Sequence, residues 1–282
     1  MSEGFSADWL ALREGFDAAA RSDALAARLA AVLPARPRIL DLGAGTGSLF
    51  RWLAPRIGRA QGWTLADADP ALLAQAFDDI AGWASARGYG VVDDGRNLEV
   101  YTPGAIWRVT VRVVDLARGV KLAGQHAVVC SALLDLVSAA WIDALAAQLR
   151  VPLLACLSVD GRDALLPRHA GDTLVQAGFR RDQQRDKGLG PALGRRAPAV
   201  LHAALAARGF TLASAGSDWR IPRGATAMLA ALVRGHAEAA ARQMPQRRGA
   251  IAAWQAARLR QIGRGRLAIR VGHRDILALP PR

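Results

Sequence analysis

The chain alternates between short apolar runs and longer stretches in which apolar residues recur at helical spacing. The first run, 39–42, contains Asp41 and is followed by glycines at alternate positions. The apolar residues between 49 and 53 then recur every three or four positions. This order predicts a strand, a tight turn and a helix, the arrangement with which nucleotide-binding α/β units begin.

Further apolar runs predict the rest of a sheet. A second strand at 63–67 precedes a helix that begins at Pro70, a residue favoured at the first helical position, with Asp69 as its N-cap. Runs at 97–101 and 106–116 predict a hairpin that adds a strand at the sheet edge. The remaining predicted strands are 126–131, 151–159, 210–215 and 266–271, the last running on toward Leu277.

Helical spacing fills the gaps between these strands. One or two helices between Phe5 and Leu33 precede the first strand, and others are predicted at 70–88, 139–150 and 198–208. Strands that alternate with helices predict an α/β fold with a doubly wound, mostly parallel sheet of seven strands. Within the first helices one face carries charges that form either a surface salt-bridge ladder or a lid over a ligand: Arg13, Asp17 and Arg21.

Two insertions interrupt this plan. Residues 160–197 leave the carboxyl end of the fifth strand, where ligands bind in open α/β sheets, so we expect a partly helical cap or a solvated loop. Residues 225–262 are predicted to form two helices broken at Pro245. Their apolar stripe, expected to dock on the sheet or on a second copy of the chain, consists of Ile251, Trp254, Ala257 and Ile262. The arginines expected to stay near the surface are Arg247, Arg248, Arg258 and Arg260.

Composition narrows the class of protein. With 282 residues, of which 52% are hydrophobic, the chain can bury a full core. Cys130 and Cys156 lie in apolar runs, which indicates core residues in a reducing cytoplasm rather than a disulfide. The first residues are polar and no stretch of eighteen uncharged apolar residues occurs, so we expect neither a signal peptide nor a membrane span.

The charge is strongly positive and unevenly distributed. The net charge is +13, and residues 240–282 contain ten arginines against one aspartate. A solvated basic face and an RNA-binding surface both fit this pattern. No separate RNA-binding module is recognisable, so binding of nucleic acid is an open alternative that is not favoured.

The acid and the glycines of 41–47 indicate which nucleotide is bound. A dinucleotide motif would place a pyrophosphate at this turn, whereas an acid at the strand end would crowd it and suits a ligand with an ammonium group. The run resembles the first motif of class I S-adenosylmethionine-dependent methyltransferases. The resemblance implies a Rossmann-like sheet whose last strand is antiparallel, S-adenosyl-L-methionine as cofactor, and cofactor contacts at Asp41, Gly43, Ala44, Gly45 and Gly47.

Two later strand ends extend the resemblance. Asp67 lies about twenty residues past the glycines, where α/β nucleotide folds place an acid that accepts hydrogen bonds from the ribose hydroxyls. By resemblance Asp67 and Ala68 contact the cofactor, Asp115 meets the adenine amino group, and Leu116 lies beside the ring. The turn after the fourth strand begins with Ser131, which we also assign to the cofactor.

The whole chain, 1–282, is predicted to be one cytoplasmic methyltransferase domain. Its parts are a helical leader (1–34), a cofactor-binding half (35–159), the cap (160–197) and a C-terminal half (198–282) that contains the helical insertion 225–262. End to end the chain is similar to a bacterial subgroup of these methyltransferases without a settled substrate. The segments that carry this similarity are 12–22, 186–194, 217–222 and 272–275.

Methyl transfer from a sulfonium is an in-line displacement, so the protein mainly orients the reactants and needs a base only if the nucleophile must lose a proton. By position Asp135 is the first candidate base and His273 the second, although Asp135 could instead cap a helix or be solvated. No Asn/Asp-Pro-Pro-Tyr run and no Pro-Cys pair occurs, which argues against amino methylation of adenine or glutamine and against the cytosine C5 mechanism. The candidate substrate contacts are Arg13, Arg181, Asp186, Lys187, Asp218 and Trp219.

These features favour transfer of a methyl group to a polar small-molecule acceptor. An RNA methyltransferase that uses the arginine-rich C-terminal region is the alternative, and a non-catalytic S-adenosylmethionine-binding scaffold or sensor is a further one. No metal is expected, because no two histidines have a metal-ligand spacing. The C-terminal helices could join two copies of the chain.

Overall fold

A computed structural model describes residues 6–281, so the start of the leader, including Phe5, and Arg282 lie outside the described residues. The helices are α1 (Ala7–Ala20), α2 (Asp23–Val32), α3 (Ser48–Ile57), α4 (Pro70–Ser85), α5 (Ala139–Gln148), α6 (Asp172–Gln183), α7 (Ala197–Ala206), α8 (Thr226–Gln243) and α9 (Arg248–Gly263). The strands are β1 (Arg38–Leu42), β2 (Gln61–Asp67), β3 (Gly90–Asp93), β4 (Asn97–Thr102), β5 (Ala105–Val113), β6 (Ala127–Ser131), β7 (Leu153–Val159), β8 (Ala164–Leu166), β9 (Thr211–Gly216), β10 (Trp219–Ile221), β11 (Ala268–Val271) and β12 (His273–Leu279).

The fold is mixed α/β, as predicted, and is built on a sheet with the order β3-β4-β5-β2-β1-β6-β7-β12-β9. Strands β5, β2, β1, β6 and β7 pair in parallel, and β12 lies antiparallel between β7 and β9. The expected antiparallel last strand is therefore confirmed. The predicted count of seven strands is wrong, because the central sheet has nine.

The additional strands lie at one edge of the sheet. The predicted hairpin is present as β4 and β5, and β3 pairs antiparallel with β4 outside it. Strand β3 has four residues and is mostly exposed, with Val92 at 55% exposure. Its short run carries no alternation of buried and exposed positions, which is why the sequence pattern did not predict it.

Helices cover both faces of the sheet. Ile39 and Leu40, neighbours in β1, are fully buried and belong to different apolar clusters, because side chains alternate across a strand. The first cluster includes residues of α2, α3 and α4, and the second includes residues of α5 and α7. Both cysteines are buried without a disulfide partner, in agreement with their expected place in the core.

The predicted seventh strand, 266–271 running on toward Leu277, is in fact two strands in two sheets. Strand β11 pairs with β10 and β8 in a small second sheet, whereas β12 belongs to the central sheet. The chain passes between the sheets at Gly272, where a Cβ would lie 2.5 Å from Asp160 Oδ1 and 2.7 Å from Arg162 Cβ. Only glycine permits this close approach of the backbone, and it lies where the chain leaves the small sheet for the central sheet.

The two insertions, 160–197 and 225–262, pack against each other. Helix α6 of the first insertion contacts α8 of the second so closely that a Cβ on Gly178 would lie 2.7 Å from Ala240 Cα. The predicted stripe does not dock on the central sheet: Ile251, Trp254 and Ile262 are buried in a third apolar cluster that includes residues of α8 and the small sheet. Arg258, predicted at the surface, has no exposed area.

Candidate functional site

A cavity of about 730 Å³ opens at the carboxyl ends of β1, β2 and β6. Carboxyl ends of parallel strands meet at one edge of a sheet, and ligands of open α/β sheets bind there. The size suits a small-molecule ligand. Residues of helix α1 and residues 187–189 of the first insertion also line the cavity.

The glycine turn forms the floor of this cavity. Gly43, Ala44 and Gly45 line it, and the backbone N–H groups of Gly43 and Ala44 donate to the Ala66 carbonyl at 2.8 and 3.1 Å. Gly45 has φ +53°, and a Cβ there would lie 3.1 Å from Leu10 Cδ1 in α1. Gly47, with φ +78°, does not line the cavity and is instead the N-cap residue of α3. The turn therefore presents backbone to the cavity.

Asp67, at the end of β2, lines the cavity and is held by hydrogen bonds from the turn and from the residues that follow it. Its Oδ2 accepts from the Gly45 N–H at 2.8 Å and its Oδ1 accepts from the Asp69 N–H at 3.1 Å. Asp69 caps α4 as predicted, accepting from the Ala71 N–H at 2.8 Å. These bonds fix the Asp67 carboxylate, and Ala68 lies beside it in the cavity wall.

Asp41, at the end of β1, has the opposite environment. It is 1% exposed, and neither carboxylate oxygen accepts a hydrogen bond from residues 6–281. Burial raises the pKa of Asp41 to about 8, the Arg21 charge opposes this rise, and the Asp67 charge adds to it. A buried carboxylate without donors is costly, so this position favours a cationic ligand group.

One face of α1 supplies buried charges to the cavity wall. Arg13, Asp17 and Arg21 are 8%, 4% and 4% exposed, so the alternative of a surface salt-bridge ladder is wrong. Asp17 accepts from Arg13 Nε at 3.0 Å and from Trp219 Nε1 at 2.9 Å. The Arg13 guanidinium lies 4.8 Å from the centre of the Trp219 ring. Trp219 thus fixes these charges without lining the cavity itself.

Arg21 reaches from the end of α1 to the sheet. Its Nη2 donates to the hydroxyls of Ser48 and Ser131 at 3.1 and 3.0 Å. Both serines line the cavity, Ser131 at the end of β6 and Ser48 at the start of α3. For Asp17 and Arg21 the i, i+4, i+8 spacing predicts a shared face, and a lid over a ligand as one alternative, but not the burial of that face. No sequence signal marks Ser48 as a cavity residue.

The opposite end of the cavity is formed after β5. Asp115 lines it and caps a short helical turn, Leu116–Arg118, by accepting from the Ala117 N–H at 3.0 Å. It also forms an exposed ion pair with Arg118 at 3.2 Å. Leu116 is buried, and its carbonyl accepts from Trp141 Nε1 at 2.8 Å. An acid beside an apolar side chain suits a planar base with an exocyclic amino group.

Of the two candidate bases, Asp135 lies next to a residue that lines the cavity. It sits in a short turn, Leu134–Leu136, next to cavity-lining Leu136, but does not line the cavity itself. Burial raises the pKa of Asp135 to about 6 against the opposing charges of Lys187 and Arg13, and its Oδ1 has no donor among residues 6–281. Lys187 does line the cavity.

The remaining predicted residues lie outside the cavity. Burial and the Arg13 charge lower the pKa of His273 to about 4, and this buried ring packs 4.9 Å from the Trp219 ring. Asp218 accepts from Arg162 Nη2 at 2.8 Å and lines a second cavity of about 540 Å³. Asp186 accepts from the Gly188 and Gly190 N–H groups within its own loop. Arg181 is exposed on α6.

The described part of the chain contains neither a helix suited to span a membrane nor a side-chain cluster suited to hold a metal ion. Between residues 6 and 281 no helix combines the length and apolar character needed to cross a bilayer. Over the same residues, no group of three or more His, Cys, Asp or Glu side chains is arranged to hold a metal ion.

Comparison with known proteins gives similarities rather than a family assignment. No family model matches the chain. Over 56 residues, 20% of the chain, it is 57% identical to the biotin biosynthesis bifunctional protein BioCD of Bordetella avium, and the matched stretch spans 12% of that protein.

Among solved structures the chain is similar to an S-adenosylmethionine-dependent methyltransferase from Thiobacillus denitrificans in complex with S-adenosyl-L-homocysteine, at 16% identity over 99% of both chains with a TM-score of 0.46. A second such methyltransferase, from Geobacter sulfurreducens and also in complex with S-adenosyl-L-homocysteine, is 16% identical over 98% of this chain and 99% of its own, with a TM-score of 0.44.

Proposed function

We propose that this protein binds S-adenosyl-L-methionine and transfers its methyl group to a polar small molecule. The observation that carries the proposal is Asp41, a buried carboxyl group without a hydrogen-bond donor beside a glycine turn in a cavity at the head of the sheet. A pyrophosphate would be repelled there, whereas an α-ammonium group would ionise Asp41 and complete its hydrogen bonds.

The other cavity residues fit the remaining parts of the cofactor. The backbone of 43–45 allows close approach of the ligand. The Asp67 carboxylate, already oriented by two N–H donors, retains lone pairs for ribose hydroxyls. Asp115 and Leu116 would contact the adenine at the far end.

When bound, the cofactor supplies an electrophilic methyl group. The chain's own residues orient the acceptor and exclude water, and orientation alone can lower a barrier by several kcal/mol. Arg13, Lys187 and Leu189 also line the cavity, which a polar acceptor would enter. Asp135, with its pKa near 6, is the favoured group to accept a proton if the acceptor must lose one.

Calorimetry with S-adenosylhomocysteine tests the cofactor assignment. Asp67→Ala removes the ribose acceptor and should weaken binding by roughly tenfold or more, the loss expected for hydrogen bonds to a charged group. Asp78→Ala, at an exposed acid of α4, is the matched control and should bind like the wild type. Equal affinity of the wild type and Asp67→Ala would remove the ribose assignment.

Acceptor class is tested with cell extract and cofactor carrying a labelled methyl group. We expect counts in the small-molecule fraction. Two arginines of the C-terminal region are engaged in ion pairs, Arg258 with Asp172 and Arg242 with Asp182, which lowers the positive charge available to RNA. Counts confined to RNA would favour the RNA alternative, and tight binding without transfer to any fraction would favour a scaffold or sensor.

A further inference from the structure

The second cavity, of about 540 Å³, shares no lining residue with the cavity at the head of the sheet. Helix α1 contributes three apolar side chains to it, Phe16, Ala19 and Ala20. The rest of the lining consists of two arginines, one acid and the glycine at the end of β9: Arg162, Arg220, Asp218 and Gly216. The volume and the mixture of apolar and charged groups are those of a small-molecule site.

Two largely buried acids hold Arg162 at this cavity. Arg162 Nη2 donates to Asp218 Oδ1 at 2.8 Å, and Arg162 Nε donates to Asp160 Oδ2 at 2.6 Å. The Asp160 and Asp218 side chains are 11% and 12% exposed. Asp218 Oδ1 also accepts from the His273 N–H at 3.2 Å. The two carboxylates are therefore fixed in place, and the charge of Arg162 is compensated.

The same two acids have further arginine neighbours at longer distance. Arg270 Nε lies 4.0 Å from Asp218 Oδ2, and Arg274 Nε lies 4.0 Å from Asp160 Oδ2. Arg220 lines the cavity but forms no ion pair with an acid among residues 6–281. With the arginine already described, four guanidinium groups share two carboxylates, which leaves a surplus of two positive charges at this cavity.

The small sheet places two of these arginines directly opposite each other. Arg220 of β10 pairs in register with Arg270 of β11, and both side chains are exposed. Like charges directly opposite on one face of a sheet repel and lower stability. Asp218 lies 4.0 Å from Arg270 and is already engaged by Arg162, so it relieves little of this repulsion. A bound anion would relieve it.

We propose that the second cavity binds a small molecule that carries a phosphate monoester. A phosphate monoester is close to a dianion at neutral pH, so it matches the surplus of two positive charges. Guanidinium groups bind phosphate through paired hydrogen bonds, and Arg220 and Arg162 line the cavity that would hold it. The cavity is larger than a phosphate group alone, and Phe16 with its neighbours on α1 would cover the organic part of the ligand. The inference is independent of the proposed function, because the two cavities have no residue in common.

The test compares two probes of similar shape and different charge. Phenyl phosphate is almost fully a dianion at about pH 7.5, whereas phenyl sulfate carries a single charge. Calorimetry in a phosphate-free buffer of low ionic strength should show that phenyl phosphate binds about tenfold more tightly than phenyl sulfate. Equal affinities, or no binding of phenyl phosphate to the wild type, would overturn the inference.

A substitution at Arg220 tests the location of the site. Arg220→Gln should weaken phenyl phosphate binding about tenfold, the loss expected for hydrogen bonds from a charged group. Arg260→Gln, at an exposed arginine of the same basic C-terminal region, is the matched control and should change the affinity by less than about twofold. Equal losses in the two variants would indicate an extended basic surface, as RNA binding would use, and would overturn a site for a small phosphate monoester.

Thermal unfolding gives a second readout that a structural role of Arg220 would not produce. Without ligand, Arg220→Gln should unfold at a slightly higher temperature than the wild type, because it removes the repulsion with Arg270. With saturating phenyl phosphate the wild type should unfold at the higher temperature, because it gains more binding energy. A lower unfolding temperature of Arg220→Gln without ligand would show that Arg220 stabilises the fold and would contradict the inference.

S-adenosylhomocysteine separates this site from the cavity at the head of the sheet. Saturation with it should leave the affinity for phenyl phosphate unchanged, because the two cavities are lined by different residues. Competition between the two ligands would place phenyl phosphate in the first cavity and would overturn the inference. Failure of S-adenosylhomocysteine to bind while phenyl phosphate binds as expected would contradict the proposed function and support the second site.

Discussion

Two buried ionisable side chains in this protein differ in whether the fold gives them an ion-pair partner, and the difference separates structure from function. Arg258, in the packed insertions, has no exposed area; its two Nη atoms donate to Asp172, to the Pro167 carbonyl at 2.7 Å and to Gln261 Oε1 at 2.7 Å, while its Nε has no acceptor within residues 6–281. Asp41, at the head of the sheet, is equally buried but accepts no hydrogen bond within residues 6–281. The fold alone neutralises Arg258, whereas it provides no hydrogen-bond donor for Asp41, as we expect of a group that binds a ligand.

The largest expected loss of stability tests the ion pair between Arg258 and Asp172. Asp172→Asn removes the countercharge of a fully buried guanidinium, and breaking a buried ion pair typically costs about 3–5 kcal/mol. We expect a loss of that order in the free energy of unfolding, measured by urea denaturation at pH 7. Arg260→Gln, at an exposed arginine of the same helix, is the control and should change stability little. A loss below about 1 kcal/mol in Asp172→Asn would show that the pair is not structural.

The same type of substitution at Asp41 should raise the free energy of unfolding instead of lowering it. A raised pKa means that the folded protein keeps a proton between the unfolded value, about 4, and about 8, so the unfolded state gains relative stability as pH rises through this window. Asp41→Asn removes this cost. Without ligand, it should equal the wild type near pH 4 and exceed its stability by on the order of a few kcal/mol at pH 8.

The contrast between Asp41 and Asp172 would be contradicted if Asp41→Asn lowered the free energy of unfolding at pH 8 as Asp172→Asn is expected to do. Asp78→Asn controls for a general effect of removing one negative charge from a basic protein, since Asp78 is exposed. With saturating S-adenosylhomocysteine, Asp41→Asn should instead be less stable than the wild type, because the wild type then gains binding energy that the variant lacks.

The sequence could predict that three acids lie together at the cavity, because the signals for their positions are local. Asp41, Asp67 and Asp115 each end an apolar run, and parallel strands bring such ends to one edge whatever the rest of the chain does. The burial of Arg258 could not be predicted in this way: its partner Asp172 is 86 residues away, on another insertion. The break at Gly272 depends likewise on Asp160, which lies far along the chain.

Helix α1 falls between these cases. The spacing of Arg13, Asp17 and Arg21 showed that they share one helical face, but only the packing of Trp219 from the small sheet shows that this face is buried. The periodicity of a helix fixes which residues lie together. It does not fix what covers them, and here the cover comes from a strand about two hundred residues later.

A smaller loss of stability is expected from a substitution in the glycine turn. Gly45→Ala imposes a left-handed conformation on a residue with a Cβ, at a cost of about 1–2 kcal/mol, and places that Cβ 3.1 Å from Leu10 in α1. Gly15→Ala is the matched control, because a Cβ at Gly15 in α1 would meet no atom within 4 Å and the variant should gain about 0.5–1 kcal/mol. Urea denaturation of both variants compares them, and a Gly45→Ala protein as stable as Gly15→Ala would contradict the strain at the turn.

The smallest expected effect concerns Trp219, which links the small sheet to Asp17 of α1 at the cavity. Trp219→Phe keeps an aromatic ring between Arg13 and His273 but removes the hydrogen bond from Trp219 Nε1 to Asp17, at a cost of about 1 kcal/mol. Because Asp17 also pairs with Arg21 and both residues line the cavity, a loosened Asp17 should lower S-adenosylhomocysteine affinity slightly, as measured by calorimetry. An unchanged affinity in Trp219→Phe would show that Trp219 does not act on the cavity through Asp17.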